Sequence, residues 1–156
     1  MKKVMFISST GGHLSELLQL EPLFADYDSY LVTEKTKSTV GLKEKYQDRT
    51  FFLKYGTKSH LISYIFIFFF NILKSFVLML KIRPDVVVTT GTHTAVPMCY
   101  IAKLFRRKVI FIETFANSKT RTKAGEMVYP IADVFIVQWE YMLELYPNAV
   151  YGGWIY

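Results

Sequence analysis

Six consecutive residues near the amino terminus, Ser8-Ser9-Thr10-Gly11-Gly12-His13, gather groups suited to chemistry. Two adjacent glycines free the backbone to reach positive φ and let another molecule approach the main chain closely. The unpaired N–H groups that open a following helix, with its dipole, favour an anionic group or a developing oxyanion. His13 stands at that junction, where a side chain titrating near neutrality could take a proton; it would equally serve as a local cap or packing residue. The spacing is not Gly-x-Gly-x-x-Gly, so a dinucleotide site is not supported.

A second stretch, Thr90-Gly91-Thr92-His93-Thr94, repeats the design of small residues followed by a histidine, and His93 suits either a hydrogen-bonded turn or catalysis. In a third, Glu113-Thr114-Phe115-Ala116-Asn117, Glu113 could orient a sugar hydroxyl, act as a base, or cap the next turn. A fourth is Gln138-Trp139-Glu140. No His, Cys or carboxylate residues show metal-ligand spacing, so no protein-bound metal is expected, and no cofactor is expected of this chain.

The elements that must position these residues can be read from hydrophobic patterning. Apolar runs at Val4–Ile7, Tyr30–Thr33, Thr50–Leu53, Asp85–Thr89, Val109–Ile112, Val134–Val137 and Ala149–Tyr151 read as strands. The continuous Val86-Val87-Val88 run suits a sheet covered on both faces. Helical segments fall between them at Leu14–Phe24, Thr36–Tyr46, Leu61–Leu80, Thr94–Phe105, Thr122–Ile131 and Trp139–Leu145, and Pro97 fits the first turn of its helix. Strands alternating with helices imply an α/β fold with one doubly wound parallel sheet. There is no repeat, low-complexity tract or linker, so residues 1–156 read as a single domain. Ligands of such sheets sit beyond the carboxyl ends of the strands, which puts the glycine- and hydroxyl-rich loops on one rim.

The segment Leu61–Leu80 is unusually apolar. About twenty residues suffice to span roughly 30 Å of hydrocarbon, but Lys74 near the middle would cost about 2.5–3.5 kcal/mol there. At about 100° per residue, His60, Ser63, Asn71, Lys74, Ser75 and Lys81 share one sector and the rest is apolar. That surface exceeds what packing on a sheet requires. The excess is buried by neighbours, meets a partner, or dips into the bilayer interface. The favoured reading is a crossover helix that also anchors the protein monotopically to the cytoplasmic leaflet through Phe66, Phe69, Phe70 and Leu73, with Lys54, Lys58, Lys81 and Arg83 suiting anionic headgroups.

The net charge of +6 suits an anionic surface or ligand. Nucleic-acid binding is not expected, because no basic-aromatic repeat or recognition motif accompanies that charge. Cys99, the single cysteine, lies in an apolar helical stretch and reads as core. It leaves no internal disulfide, in keeping with a reducing compartment. The opening Met1-Lys2-Lys3 runs directly into a strand with no signal-peptide pattern, so a cytoplasmic location is expected.

Taken together, Gly11-Gly12-His13, the run from Arg83-Pro84-Asp85 through Thr90-Gly91-Thr92-His93-Thr94-Ala95-Val96-Pro97, and Phe111-Ile112-Glu113-Thr114-Phe115-Ala116 resemble one family. It is the membrane-recruiting half of split GT-B glycosyltransferases. The family includes the anchoring subunit of the dolichol-pathway N-acetylglucosaminyltransferase. It also includes bacterial capsule and exopolysaccharide proteins described as β-1,4-galactosyltransferase enhancers. The chain is also similar to the amino-terminal domain of the peptidoglycan N-acetylglucosaminyltransferase. The resemblance covers nearly the whole chain.

It implies a Rossmann-like domain equivalent to the amino-terminal half of a GT-B enzyme, inactive alone. A partner chain would hold the UDP-sugar and form a heterodimer with it. This chain would bring the polyprenyl-pyrophosphate-linked sugar acceptor to the cytoplasmic face of the membrane; a pure scaffold with no catalytic residues is the alternative. His13 and Glu113 would be the catalytic candidates. Ser9, Thr10, Gly11, Gly12, Gly91, Thr92, His93, Thr114 and Asn117 would line the acceptor and phosphate site. Trp139, Tyr151, Trp154, Ile155 and Tyr156 would meet the partner, the aromatic tail being read as exposed or packed on its own domain. Eukaryotic members carry an amino-terminal transmembrane helix and a Gly-Pro-Gly-like loop in place of Gly91-Thr92-His93. Anchoring is therefore expected from Leu61–Leu80 or the partner.

Overall fold

The computed structural model describes residues 1–56 and 61–155. Lys58, His60 and Tyr156 thus lie outside the described residues. Strands β1 (Lys3–Ile7), β2 (Asp28–Lys35), β3 (Thr50–Lys54), β4 (Val86–Thr89), β5 (Lys108–Ile112), β6 (Val134–Val137) and β7 (Val150–Tyr151) form one sheet of order β3-β2-β1-β4-β5-β6-β7. Every pairing is parallel. The order reverses between β1 and β4, whose facing pairs run from Val4 with Val86 to Ile7 with Thr89. A cleft opens at that switch point in sheets of this kind.

Among the described residues six α-helices connect the strands: α1 (Gly12–Leu18), α2 (Leu42–Tyr46), α3 (Leu61–Ile82), α4 (Val96–Leu104), α5 (Lys123–Val128) and α6 (Met142–Leu145). Side chains of α3, α4, α5 and α6 cover one sheet face, packing Leu78, Met79, Met98, Cys99, Val128 and Met142 onto Met5, Ile7, Val87, Val109 and Val137. Burial pushes the Cys99 thiol up to about 12, so it behaves as a small apolar core residue. On the other face α1 and the turn after it cover Val4, Phe6 and Leu31. Toward β5 and β6 that face carries an apolar groove of about 370 Å³, bordered by Val86, Val88, Ile110, Ile112 and Ile136, with Ile155 at one side.

Several helices are shorter than their patterning predicts. α1 stops at Leu18, and a 3-10 turn over Glu21–Asp26 replaces its last part. Pro22 lacks an N–H and disfavours helix at the residue before it. The helix expected from Thr36 begins only at Leu42. Thr39 Oγ1 accepts the Thr36 N–H at 2.8 Å and donates to the Glu34 carbonyl at 2.7 Å, a local turn that competes with helix. α6 likewise starts at Met142 rather than Trp139.

α3 runs 22 residues and is inverted relative to a soluble crossover helix. Asn71 and Ser75 face the sheet and are buried, whereas Ile62 (75% exposed), Phe66 (73%), Phe69 (65%) and Leu73 (62%) face outward. Asn71 goes inward because its amide accepts the Lys54 N–H and donates to the Lys54 carbonyl, both at 2.8 Å, continuing the edge strand's hydrogen bonding. Leu78, Met79 and Ile82 supply the apolar contact with the core.

Candidate functional site

The loops after β1 and β4 meet at the switch point and are tied to each other by hydrogen bonds. Ser9 N–H donates to the Gly91 carbonyl at 3.0 Å, and Thr92 N–H donates to Ser9 Oγ at 3.1 Å. Ser9 Oγ and Thr92 Oγ1 lie 3.1 Å apart. The Thr90 hydroxyl donates to the His13 carbonyl at 2.6 Å, while His13 Nδ1 lies 2.8 Å from the Thr90 carbonyl. A carbonyl oxygen only accepts, so Nδ1 carries a proton and donates it here. In the neutral ring the lone pair is then on Nε2, the tautomer a general base needs.

Backbone geometry holds this arrangement open. Gly11 sits at φ 84° and Gly91 at φ 95°, both in the region that favours glycine. A Cβ at Gly91 would stand 3.6 Å from His13 Nδ1, so the ring lies against a bare backbone. The first bond of α1 runs from Ser15 N–H to the Gly11 carbonyl, leaving the N–H groups of Gly12, His13 and Leu14 with no acceptor inside the helix. Gly11 and Gly12 are exposed there, and the His13 side chain is 27% exposed.

Two carboxylates that patterning did not single out brace the rim. Glu34, 2% exposed, accepts the Thr10 N–H at 3.0 Å and the Thr94 hydroxyl at 2.6 Å. It also lies 3.9 Å from His93 Nε2, while His93 Nδ1 is 3.0 Å from Thr92 Oγ1. Glu16 Oε1 accepts the Thr114 hydroxyl at 2.8 Å and the Phe115 N–H at 3.1 Å. Its Oε2 lies 3.9 Å from His13 Nδ1 and has no hydrogen-bond partner among the described residues. Positive charge gained by the His13 ring would be met by that oxygen. The signal for Glu16 was its i,i+3 spacing from His13 on one helix face. The signal for Glu34 was a carboxylate just past Thr33, where the expected strand ended two residues short.

Glu113 requires a correction as an acid-base candidate. It is 2% exposed and turned into the domain. Its oxygens accept from Thr114 N–H (3.1 Å), Thr122 N–H (3.4 Å), Thr122 Oγ1 (2.9 Å) and Tyr146 Oη (3.0 Å). Burial, then the charge of Glu113, pushes the Tyr146 phenol far above its ordinary range, so it remains a donor. Thr122 also caps α5 by accepting the Gly125 N–H at 2.9 Å. Glu113 is thus a buried strut that caps the next turn. Thr114 is buried as well, with its hydroxyl committed to Glu16. Asn117 stays at the rim, its N–H on the Thr114 carbonyl and its Oδ1 taking the Thr120 hydroxyl at 3.3 Å.

At the far end of the same rim an aromatic ladder forms. Phe115 stacks on Trp139 at 4.6 Å between ring centres and on Trp154 at 5.7 Å. Trp154 is 73% exposed, and Tyr151 is exposed too. Ile155 departs from an exposed tail: its N–H donates to Gln138 Oε1 at 3.3 Å and its side chain leans on the second sheet face. Among the described residues no group of three His, Cys, Asp or Glu could hold a metal ion.

Solved structures of similar shape carry this sheet. Acinetobacter baumannii MurG superposes with a TM-score of 0.71 at 16% identity, over 90% of this chain and 43% of that one. The Staphylococcus aureus MnaA–UDP structure gives 0.73 at 16% identity, over 97% and 43%. At such identity the likeness concerns the fold: one Rossmann-like doubly wound sheet, equal to a single half of a GT-B protein. This chain spans less than half of either. Among sequence relatives, the mouse protein named UDP-N-acetylglucosamine transferase subunit ALG14 is 30% identical over 177 residues, covering 97% of this chain and 82% of that protein. The Candida albicans protein of the same name is 37% identical over 90 residues, 54% of this chain and 41% of that one. Residues 4–155 match the family described as "Oligosaccharide biosynthesis protein Alg14 like". The chain belongs to that family.

Proposed function

We propose that this protein is the acceptor-side subunit of a two-chain, UDP-sugar-dependent glycosyltransferase. The observation that carries the reading is the switch-point rim, where His13 is held in the base tautomer beside exposed Gly11 and Gly12, in a fold that equals one GT-B half. A GT-B cleft needs two such halves, so the donor nucleotide belongs to a partner chain. His13 Nε2 takes the proton from the acceptor hydroxyl as that oxygen attacks the anomeric carbon and the UDP leaves. The backbone around Gly11 and Gly12, with Ser9, Thr10, Gly91, Thr92 and His93, receives the acceptor's pyrophosphate and first sugar. Relatives named as subunits of a UDP-N-acetylglucosamine transferase support the subunit role. The finer assignment, transfer onto a polyprenyl-pyrophosphate-linked capsule or exopolysaccharide intermediate in bacteria, rests on the motif resemblance.

The membrane reading of α3 is supported by its inverted polarity. At about 1.5 Å per residue it is roughly 33 Å long, and its segment Ile62–Ile82 is apolar enough to cross a bilayer by length and composition. Its inward face is nonetheless committed to the sheet. It therefore lies in the interface plane of the cytoplasmic leaflet with Phe66, Phe69, Phe70 and Leu73 inserted.

The partner reading is supported by the Trp139–Phe115–Trp154 ladder next to the apolar groove that Ile155 borders. It is tested by purifying the tagged chain from its own cells: a companion chain with a UDP-sugar site is expected to co-elute, and Trp154→Ala to weaken its retention at least about tenfold. Companion retention unchanged in Trp154→Ala would remove the ladder from the interface. A pure scaffold, the second reading, predicts that the partner alone keeps full turnover on a soluble acceptor analogue.

A further inference from the structure

Beside the outward face of α3, three lysines from three elements border one pocket. Lys35 ends β2 and Lys54 ends β3, and the two are direct neighbours in the parallel register. Lys74 reaches across from α3, one turn beyond Phe70. The pocket holds about 380 Å³, and Phe52, Tyr55 and Phe70 form its apolar wall. The Lys54 ammonium sits 4.3 Å from the centre of the Phe70 ring and that of Lys74 6.0 Å from the same centre, so two charges converge on one ring. The paired Asn71 bonds to Lys54 fix the end of β3 against the helix, so the geometry is built rather than incidental.

Among the described residues no carboxylate borders this pocket. Among the described residues none of the three lysines has an ion-pair partner, whereas Lys45 pairs with Glu21 and both Lys103 and Lys108 pair with Asp133. Burial, followed by the charges of Lys35 and Lys54, holds the Lys74 ammonium below the usual lysine range. A cluster of like charges with no counter-charge is complementary to an anion.

We infer that Lys35, Lys54 and Lys74 bind the phosphate of an anionic bilayer lipid. The inference rests on the membrane reading of α3 and adds a headgroup site to it. Lipid is favoured over soluble phosphate because the pocket adjoins the inserting face. At about 100° per residue, Lys74 falls at the margin of the stripe made by Phe66, Phe69 and Leu73, the level at which headgroups lie when that stripe is submerged. Lys81, on the same margin, extends the basic row and sits 5.0 Å from the Phe51 ring. Lysine stems lying along phenylalanine rings keep their charged ends at the headgroup layer.

The test is co-sedimentation of the full chain with phosphatidylcholine vesicles, pure or containing about one-third phosphatidylglycerol as the anionic lipid. Wild type is expected to prefer the anionic vesicles. A lysine near such a surface contributes roughly fivefold, so K35Q/K54Q/K74Q is expected to lose about a hundredfold of binding to them while binding pure phosphatidylcholine as wild type does. K2Q/K43Q/K119Q, with the same change in charge on exposed residues elsewhere, is expected to lose less than about fivefold, since screening confines each charge to about 10 Å. Equal losses in the two triple variants, or an undiminished preference in the first, would overturn the site. Displacement from anionic vesicles by inorganic phosphate at matched ionic strength would overturn the lipid assignment. Failure of wild type to bind either vesicle would overturn both the site and the membrane reading; normal phosphatidylcholine binding without an anionic preference would overturn the site alone.

Discussion

His13 Nδ1 and the Thr90 carbonyl oxygen, 77 residues apart in sequence, lie 2.8 Å apart across the point where strand order reverses. That bond orients the ring, and the return bond from the Thr90 hydroxyl to the His13 carbonyl locks both loops together. Replacing His13 by alanine is expected to lower turnover of the reconstituted pair by about 10²–10⁴-fold, with partner binding unchanged. The measurement is kcat on a lipid-linked acceptor beside a pull-down of the partner. Wild-type turnover in that variant would take His13 out of the mechanism.

Thr90→Val probes the lock separately. It removes the hydroxyl donor and leaves the carbonyl that fixes the tautomer. A net loss of about 0.5–1.5 kcal/mol in stability is expected from urea unfolding, with a smaller fall in kcat than His13→Ala gives.

The Glu113 strut makes a prediction about stability rather than chemistry. A Cβ at Gly125 would meet Glu113 Oε2 and would stand 2.6 Å from the Tyr146 hydroxyl, both buried. Gly125→Ala is therefore expected to cost about 1–3 kcal/mol by overpacking. Tyr146→Phe removes one of the donors around the Glu113 carboxyl and is expected to cost about 1–3 kcal/mol. Denaturant unfolding of both variants checks these values, and a neutral Gly125→Ala would contradict the buried arrangement.

For α3, Phe66→Ser, Phe69→Ser and Leu73→Ser combined are expected to release the protein from vesicles without unfolding it. These side chains are mostly exposed already, so the fold loses little. Each apolar side chain withdrawn from the bilayer forfeits about 1.5–3 kcal/mol, so partitioning should fall by at least about a hundredfold. Loss of the circular-dichroism unfolding transition in that variant would mark the face as core instead.

The central strands β1, β4 and β5 were legible because buried parallel strands read as unbroken apolar runs, Val86-Val87-Val88 most plainly. The edge strand β7, by contrast, is exposed at both Val150 and Tyr151 and was legible only as a short β-prone run. Helix ends were less so, since single hydrogen bonds such as that between Thr36 N–H and Thr39 decide them. Periodicity separated the two sides of α3 but could not say which meets the sheet; the Asn71–Lys54 pairing decided it. Local spacing located His13 and the loop of Gly91. It could not disclose that Tyr146 and Thr122 close over Glu113, because that contact joins β5, α5 and the start of β7's approach only after folding.

The half-enzyme reading is decided by reconstitution: sugar transfer from UDP-sugar to a polyprenyl-pyrophosphate-linked acceptor, measured with this chain, with its co-purifying companion, and with both. Turnover is expected only from the mixture, with UDP-sugar bound by the companion alone. Tight binding of UDP-sugar and transfer by this chain in isolation would contradict it.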